Sequence, residues 1–260
     1  GQFNTINVDK LGITLNMREP EALAIAKRVM AVSDVFVENM TPRVMKGFGL
    51  DYSSAKEIRP DIVYLSVSGW GQDGPRANFR SYGHSSAAHA GVAFVGGLPE
   101  RPPAGWQFAY CDQNPAWQGA YSVMMGLHRR RRSGRGVFID MGQTQTSVTY
   151  VAPFILDYTV NGRKSRRPGF PPGNHRENPR VAPHNVFKCA GVDNWCVITV
   201  YTADEWRGLK KAMGNPAWAE DPKFAGAEGR WTNQEELEAL IGAWTIEFDR
   251  NRLSSMLQDH

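Results

Sequence analysis

Two short stretches of the chain are apolar without a break. Residues 34–37 (Asp-Val-Phe-Val) and 62–67 (Ile-Val-Tyr-Leu-Ser-Val) show no alternation of apolar and polar positions, the pattern of strands buried on both faces of a parallel sheet. Helical spacing fills the gaps around them. Glu19-Pro20 opens a helix with proline in its first turn, and Leu23, Ala26, Val29 and Met30 give it an apolar stripe that needs a sheet to cover it. Shorter helical stretches lie at 42–46 and 53–58, and upstream residues 12–17 alternate between apolar and polar positions. The repeated strand-helix-strand order predicts an α/β fold: a Rossmann-like parallel sheet with helices on both faces.

Downstream, Ser66-Val-Ser-Gly69 runs into the glycine-rich turn Trp70-Gly-Gln-Asp-Gly-Pro75, at the C-terminal edge of the strand, where α/β sheets bind ligands. A small-residue helical stretch at 82–95 and a Pro/Gly-rich loop at 96–105 precede a long helix, which ends at Ser133-Gly-Arg-Gly136 with glycines suited to a C-terminal cap. A strand at 137–140 and a helix at 144–160 follow. Proline, glycine and arginine then dominate to residue 183, as in a linker or active-site loop. Beyond it, 185–189 and 195–200 read as an antiparallel pair around a turn at 191–194, and Thr202 with Glu205 and Thr232 with Glu235 read as capping boxes opening helices. The predicted organisation is a large α/β domain at 1–160, a linker at 161–182 and a smaller α+β domain at 183–260.

One carboxylate stands out by position. Asp112 falls where an irregular approach becomes the long helix, so the pattern places it at the N-cap, with Pro115 in the first turn. Trp117, Ala120, Tyr121, Met124 and Leu127 recur at helical spacing and predict the buried face of that helix. A capping carboxylate is kept ionised by the helix dipole. From the residues alone two roles stand open, a structural cap and a carboxylate nucleophile at the rim of the sheet.

Composition narrows the classes. The 260 residues are 42% hydrophobic and 22% charged, ordinary globular material. No apolar run reaches the roughly 18 residues of a membrane span and the polar start does not resemble a signal peptide, so a soluble, cytoplasmic protein is expected. Cys111, Cys189 and Cys196 lack metal or disulfide spacing and read as packing, with no metal expected. The net charge of +4 and pI near 9.0 suit anionic ligands, but aromatics are not interleaved with basic residues, so no nucleic-acid partner is expected. Arg129 to Arg132 complement the helix C-terminus as a solvated turn.

Several stretches, in order, resemble a known family. Phe36-Val-Glu-Asn39 followed by Gly49-Leu50, the 66–75 turn, Arg131-Arg-Ser-Gly-Arg-Gly136, Gly173-Asn174 with Ala182-Pro183-His184, and Glu220-Asp-Pro-Lys-Phe224 are similar to the family III CoA-transferases of the CaiB/BaiF type. The resemblance covers nearly the whole chain and implies CoA transfer from an acyl-CoA to a carboxylic acid, with coenzyme A as substrate. It puts the family's nucleophilic aspartate at Asp112, passing through an aspartyl anhydride and an aspartyl-CoA thioester. It further implies CoA contacts from Asn39 and Met40, phosphate contacts from Lys10 and Lys46, and a thioester-side turn at Gly69 and Trp70.

The chain also departs from the family. Met40 stands where an aromatic is common, and Gly47 replaces an arginine, leaving neighbouring Lys46 for the phosphate. The glycine-rich flap is Pro171-Pro172-Gly173-Asn174 here. The family's N-terminal strand with its CoA-binding arginine and its C-terminal return segment are not in this sequence, so it resembles an internal portion of the usual enzyme. Family members form interlocked dimers, which implies a homodimer or a complementary subunit. Two alternatives follow. One is an α-methylacyl-CoA racemase, which needs a histidine where this chain has Tyr82, with His84 and His89 nearby; the other is a non-catalytic or partial subunit.

Overall fold

The computed structural model describes residues 2–98, 100–105 and 108–260. It divides into two compact units, residues up to 97 with 101–166, and residues 98–100 with 167–260. Among the described residues no helix is long and apolar enough to cross a membrane.

The first unit is built on three parallel strands in the order β1 (Val35–Glu38), β2 (Val63–Ser68) and β3 (Val137–Gly142), with Val63 facing Val35 on one side and Val137 on the other. Helices α1 (Gln2–Ile6), α2 (Pro20–Val32), α3 (Pro42–Phe48), α4 (Tyr52–Ile58), α5 (Gly83–His89), α6 (Val92–Val95), α7 (Tyr110–Ser133), α8 (Gln143–Ser147) and α9 (Ala152–Asn161) belong to the same unit. The α/β class expected from the apolar runs is the one observed. Only β2 is buried almost throughout; Val37 of β1 and Phe138 of β3 remain exposed because those strands are the sheet's edges among the described residues. Tyr64 of β2 joins Met30, Met45, Leu50, Ala55 and Ile62 in a core under α2, α3 and α4, and its hydroxyl donates to the Leu50 carbonyl at 2.9 Å. Alternate residues of β2, Val63 and Leu65, face α7 on the other side, so the sheet is covered on both faces.

Expectations for four stretches of the first unit need correcting. Residues 12–17 form no strand; Met17 packs on the α2–α4 core while Ile13 is exposed, so the alternation describes a chain lying over a surface without a strand partner. The 82–95 stretch is two helices because Gly91 adopts φ +84. The 144–160 stretch breaks at a 3-10 turn over Val148–Val151, ahead of Pro153 in the first turn of α9. Most informative is α7, whose buried residues are Cys111, Pro115, Gly119 and Gly126, with Trp117, Tyr121 and Met124 exposed. A Cβ on Gly119 would come within 2.9 Å of Leu65, and one on Gly126 within 2.9 Å of Val63. This close approach leaves room for small residues only, so the large apolar side chains point the other way.

In the second unit β4 (Arg176–Glu177) pairs antiparallel with β5 (Arg180–Val181), and β6 (His184–Lys188) with β7 (Trp195–Thr199). Helices α10 (Ala203–Ala212), α11 (Ala227–Thr232), α12 (Gln234–Thr245) and α13 (Arg250–Gln258) complete it. Phe187, Ile198, Trp206, Leu209, Phe224, Leu237 and Ile241 form its core. The Thr202 capping box closes as expected, with Glu205 N–H donating to Thr202 Oγ1 at 3.1 Å and Thr202 N–H to the Glu205 carboxylate at 3.0 Å. The Thr232 box does not form: Thr232 ends α11, and α12 starts after Asn233.

Candidate active site

The helix that carries Asp112 begins a turn earlier than its cap chemistry predicts. The Ala109 carbonyl accepts from Asp112 N–H at 2.9 Å, so Asp112 is the third helical residue and its side chain caps no backbone N–H. Pro115 therefore lies inside the helix and removes the donor that the Cys111 carbonyl would otherwise receive. Freed from capping, the Asp112 carboxylate is exposed. It remains in the first turn of a 24-residue helix.

Its neighbours hold it from two directions. Gln143, the first residue after β3, donates from Nε2 to Asp112 Oδ1 at 2.9 Å. Ser81 Oγ reaches the other end of the same amide, 3.4 Å from Gln143 Oε1. From the other side the carboxylate rests on Gly83, where a Cβ would fall 2.6 Å from Asp112 Oδ2. The adjacent Cys111 is a poor rival nucleophile: burial pushes its thiol up, a Ser147 hydrogen bond pulls it down, and the Asp112 charge raises it again.

Asp112 opens into a cavity of about 890 Å³ at the C-terminal ends of the strands. One wall is the turn after β1, with Val37, Asn39, Met40, Thr41 and Val44; another is the end of β2, with Leu65, Val67, Ser68 and Gly69. Phe79 to Tyr82 and the first turns of α7 close it. Glu38, beneath the first wall, fixes its shape by accepting from Met40 N–H at 2.7 Å. Burial raises the Glu38 carboxyl, hydrogen bonds from Ser66 and Met40 lower it, and the Asp140 charge raises it. Asp140 within β3 accepts Gln72 N–H on both oxygens at 3.0 and 2.9 Å, tying down the turn after β2. Thr144 N–H donates to the Gly69 carbonyl at 3.1 Å, and Gln145 to the Trp70 carbonyl at 2.9 Å.

Of the residues singled out in the sequence, Asp112, Asn39, Met40 and Gly69 meet around this cavity. Trp70, Lys46 and Lys10 do not line it. Trp70 lies between the His89 ring, 4.8 Å away edge-on, and the Arg76 guanidinium at 4.8 Å. Lys46 is exposed on α3, and Lys10 donates to the Ile6 carbonyl at 2.8 Å. Tyr82 lines the cavity; among the described residues no histidine does. Asn174 and His184 meet within the second unit, where His184 Nδ1 lies 2.6 Å from the Asn174 carbonyl. Sequence reasoning missed Gln143, Ser81, Ser68 and Arg80. Only Gln143 carried a signal, because it directly follows a parallel strand at the ligand-binding edge of the sheet. Among the described residues no group of three or more His, Cys, Asp or Glu side chains is arranged to hold a metal ion.

Comparison with known proteins agrees with this architecture. The family model for CoA-transferase family III matches residues 1–260. The chain is 31% identical over 252 residues to the succinyl-CoA–D-citramalate CoA-transferase of Chloroflexus aurantiacus, covering 97% of this chain and 61% of that protein. It is 27% identical over 254 residues to the succinate–glutarate CoA-transferase of Agrobacterium fabrum, covering 96% and 61%. It thus spans about three fifths of the length of these relatives. The crystal structure of a CaiB/BaiF family protein from Brucella suis superposes with a TM-score of 0.81 at 26% identity, over 95% of this chain and 63% of that one. With the match running the whole length of the sequence, the chain belongs to CoA-transferase family III.

Proposed function

We propose that this protein transfers coenzyme A between an acyl-CoA and a carboxylic acid, with Asp112 as the covalent carrier. The observation that carries the proposal is the Asp112 carboxylate, spared from capping, held by the Gln143 amide and facing a cavity with room for a thioester. A carboxylate suits the chemistry because its anhydride and thioester lie close in free energy to the substrates. An Asp112 oxygen attacks the thioester carbonyl and the C–S bond breaks, leaving a mixed anhydride and CoA thiolate. The thiolate attacks the Asp112 carbonyl of the anhydride, releasing the donor acid and leaving an aspartyl-CoA thioester. The acceptor carboxylate attacks that thioester, and the released thiolate then attacks the acceptor's acyl carbon, giving the new acyl-CoA and free Asp112.

In this scheme Gln143 orients the nucleophile, Gly69 and Trp70 form the thioester-side turn, and Asn39 and Met40 pack against the CoA adenine end of the cavity. Lys46 and Lys10, outside the cavity, meet the phosphates. The relatives' names carry succinyl, citramalate, succinate and glutarate groups, which brings dicarboxylic acids into the substrate class to be tested. The exposed Trp117, Tyr121 and Met124 on α7 support a surface for a second copy, as in an interlocked homodimer. Sedimentation of Trp117→Glu against the parent tests it: a smaller species is expected, and an unchanged one contradicts it. The absence of a histidine among the described cavity residues favours transfer over racemisation. Incubation with an acyl-CoA panel followed by a hydroxylamine quench tests the chemistry: the Asp112 peptide is expected to carry a hydroxamate, and an unmodified Asp112 with every donor contradicts the proposal.

A further inference from the structure

The cavity around Asp112 is lined by apolar and neutral side chains with two exceptions, Asp112 itself and Arg80. Arg80 is thus the single cation among the described lining residues, and no hydrogen bond or ion pair engages it there. Other arginines of this unit behave differently: Arg76 lies over Trp70, and Arg59 and Arg130 are paired with carboxylates at the far end of the sheet. A second unspent group lies close by. The Ser68 side chain, 4% exposed, lines the same cavity with its hydroxyl unpartnered.

The fold brings the two together. A Cβ on Gly69 would fall 1.9 Å from Ser81 Oγ, so the Ser68-Gly69 turn lies directly against the Arg80-Ser81 segment. Ser81 in turn reaches Gln143, and Gln143 holds Asp112. Asp112, Gln143, Ser81, Ser68 and Arg80 therefore line one cavity. The guanidinium fork matches a carboxylate with two parallel N–H donors.

We propose that Arg80, with the Ser68 hydroxyl as a second donor, receives the far carboxylate of a dicarboxylic acyl group whose other end reacts at Asp112. This rests on Asp112 being the acyl carrier, and it makes Arg80 the residue that selects diacids over monoacids. The phosphates of CoA are the competing anions for the same guanidinium, and they give a different result in the test.

The test measures binding without turnover. In Asp112→Asn protein, affinities are measured for succinyl-CoA and butyryl-CoA, which differ in whether the acyl chain ends in a carboxylate. Arg80→Met is then added to the same background. The expected result is a preference for succinyl-CoA that falls by about tenfold or more with Arg80→Met, with butyryl-CoA affinity unchanged and part of the preference kept by Arg80→Lys. Ser68→Ala is expected to lower the preference less than Arg80→Met does. Equal weakening of both ligands would assign Arg80 to a CoA phosphate and overturn the proposal, as would no change in either. Circular dichroism spectra matching the parent establish that each variant is folded. Because affinity is read without chemistry, lack of an Asp112 hydroxamate in the active-site test overturns the carrier role while this ratio still reports on Arg80.

Discussion

The two ends of the three-stranded sheet treat charge in opposite ways. At the N-terminal end the carboxylates are matched by cations: Asp34 lies 3.0 Å from Arg59 and 2.8 Å from Arg130, and Asp61 lies 3.0 Å from Arg59. Arg130 also donates to the Asp34 carbonyl, pinning the far end of α7 to the start of β1. At the C-terminal end Asp112, Glu38 and Asp140 are held by neutral donors, the Gln143 amide and the Met40 and Gln72 N–H groups, while Arg80 has no ion-pair partner among the described residues. The same helix thus finishes in a neutralised network and begins beside an unneutralised one. Matched pairs at the surface mainly position elements; the carboxylates at the other end have only neutral donors for the bonds described.

Substitutions at each end sharpen that contrast, and the largest effect is expected at Asp112, the proposed nucleophile. Asp112→Asn keeps the shape and an acceptor for Gln143 but removes the anion; transfer in a coupled acyl-CoA assay is expected to fall by about 1000-fold or more, with the fold intact by circular dichroism. Gly83→Ala puts a methyl 2.6 Å from Asp112 Oδ2 and must displace the carboxylate. Transfer is expected to fall by about 100-fold with little change in CoA affinity, measured by calorimetry and steady-state kinetics together.

Glu38 acts through stability and pH. Its carboxyl is raised by burial, so the stability it contributes is full below the ordinary carboxylate range and is lost as pH rises through the raised value. Glu38→Gln removes that loss while keeping an acceptor for Met40 N–H. Urea midpoints measured from acid to neutral pH are expected to rise for Glu38→Gln relative to the parent as pH rises; a constant difference contradicts the role of burial. The smallest effect is expected at the matched end. Asp34 is held low first by the Arg130 hydrogen bond and charge, so its contribution is present above the ordinary carboxylate range and is lost as pH falls through the lowered value. Asp34→Asn is expected to flatten the acid limb of the melting profile slightly and to leave transfer unchanged.

The contrast also explains what the sequence could disclose. Strand β2 was legible because both of its faces meet apolar helices, and α3, α4 and the Thr202 box because their signals are local. The buried face of α7 was misread because close contact with Leu65 and Val63 selects glycine, and the large apolar residues that dominate a periodicity count lie on the exposed side. The start of α7 was misread because Asp112 resembles a cap, whereas the helix has room for one more turn, beginning at Tyr110. At the candidate site Asp112 was visible through its helix and family order. Its partners were not: Gln143 lies 31 residues further along the chain, and only the parallel pairing of β2 with β3 delivers it to the carboxylate.

The central claim, that Asp112 carries the acyl group through an anhydride, has a direct chemical signature. When the acceptor acid attacks the aspartyl thioester, one acceptor oxygen becomes the bridge of the new anhydride and stays on Asp112 when CoA thiolate takes the acyl carbon. Turnover with an acceptor acid labelled in both carboxylate oxygens with the heavy isotope is therefore expected to leave label on the Asp112 side chain, read by mass spectrometry of its peptide. Efficient turnover with Asp112 unlabelled would contradict the account.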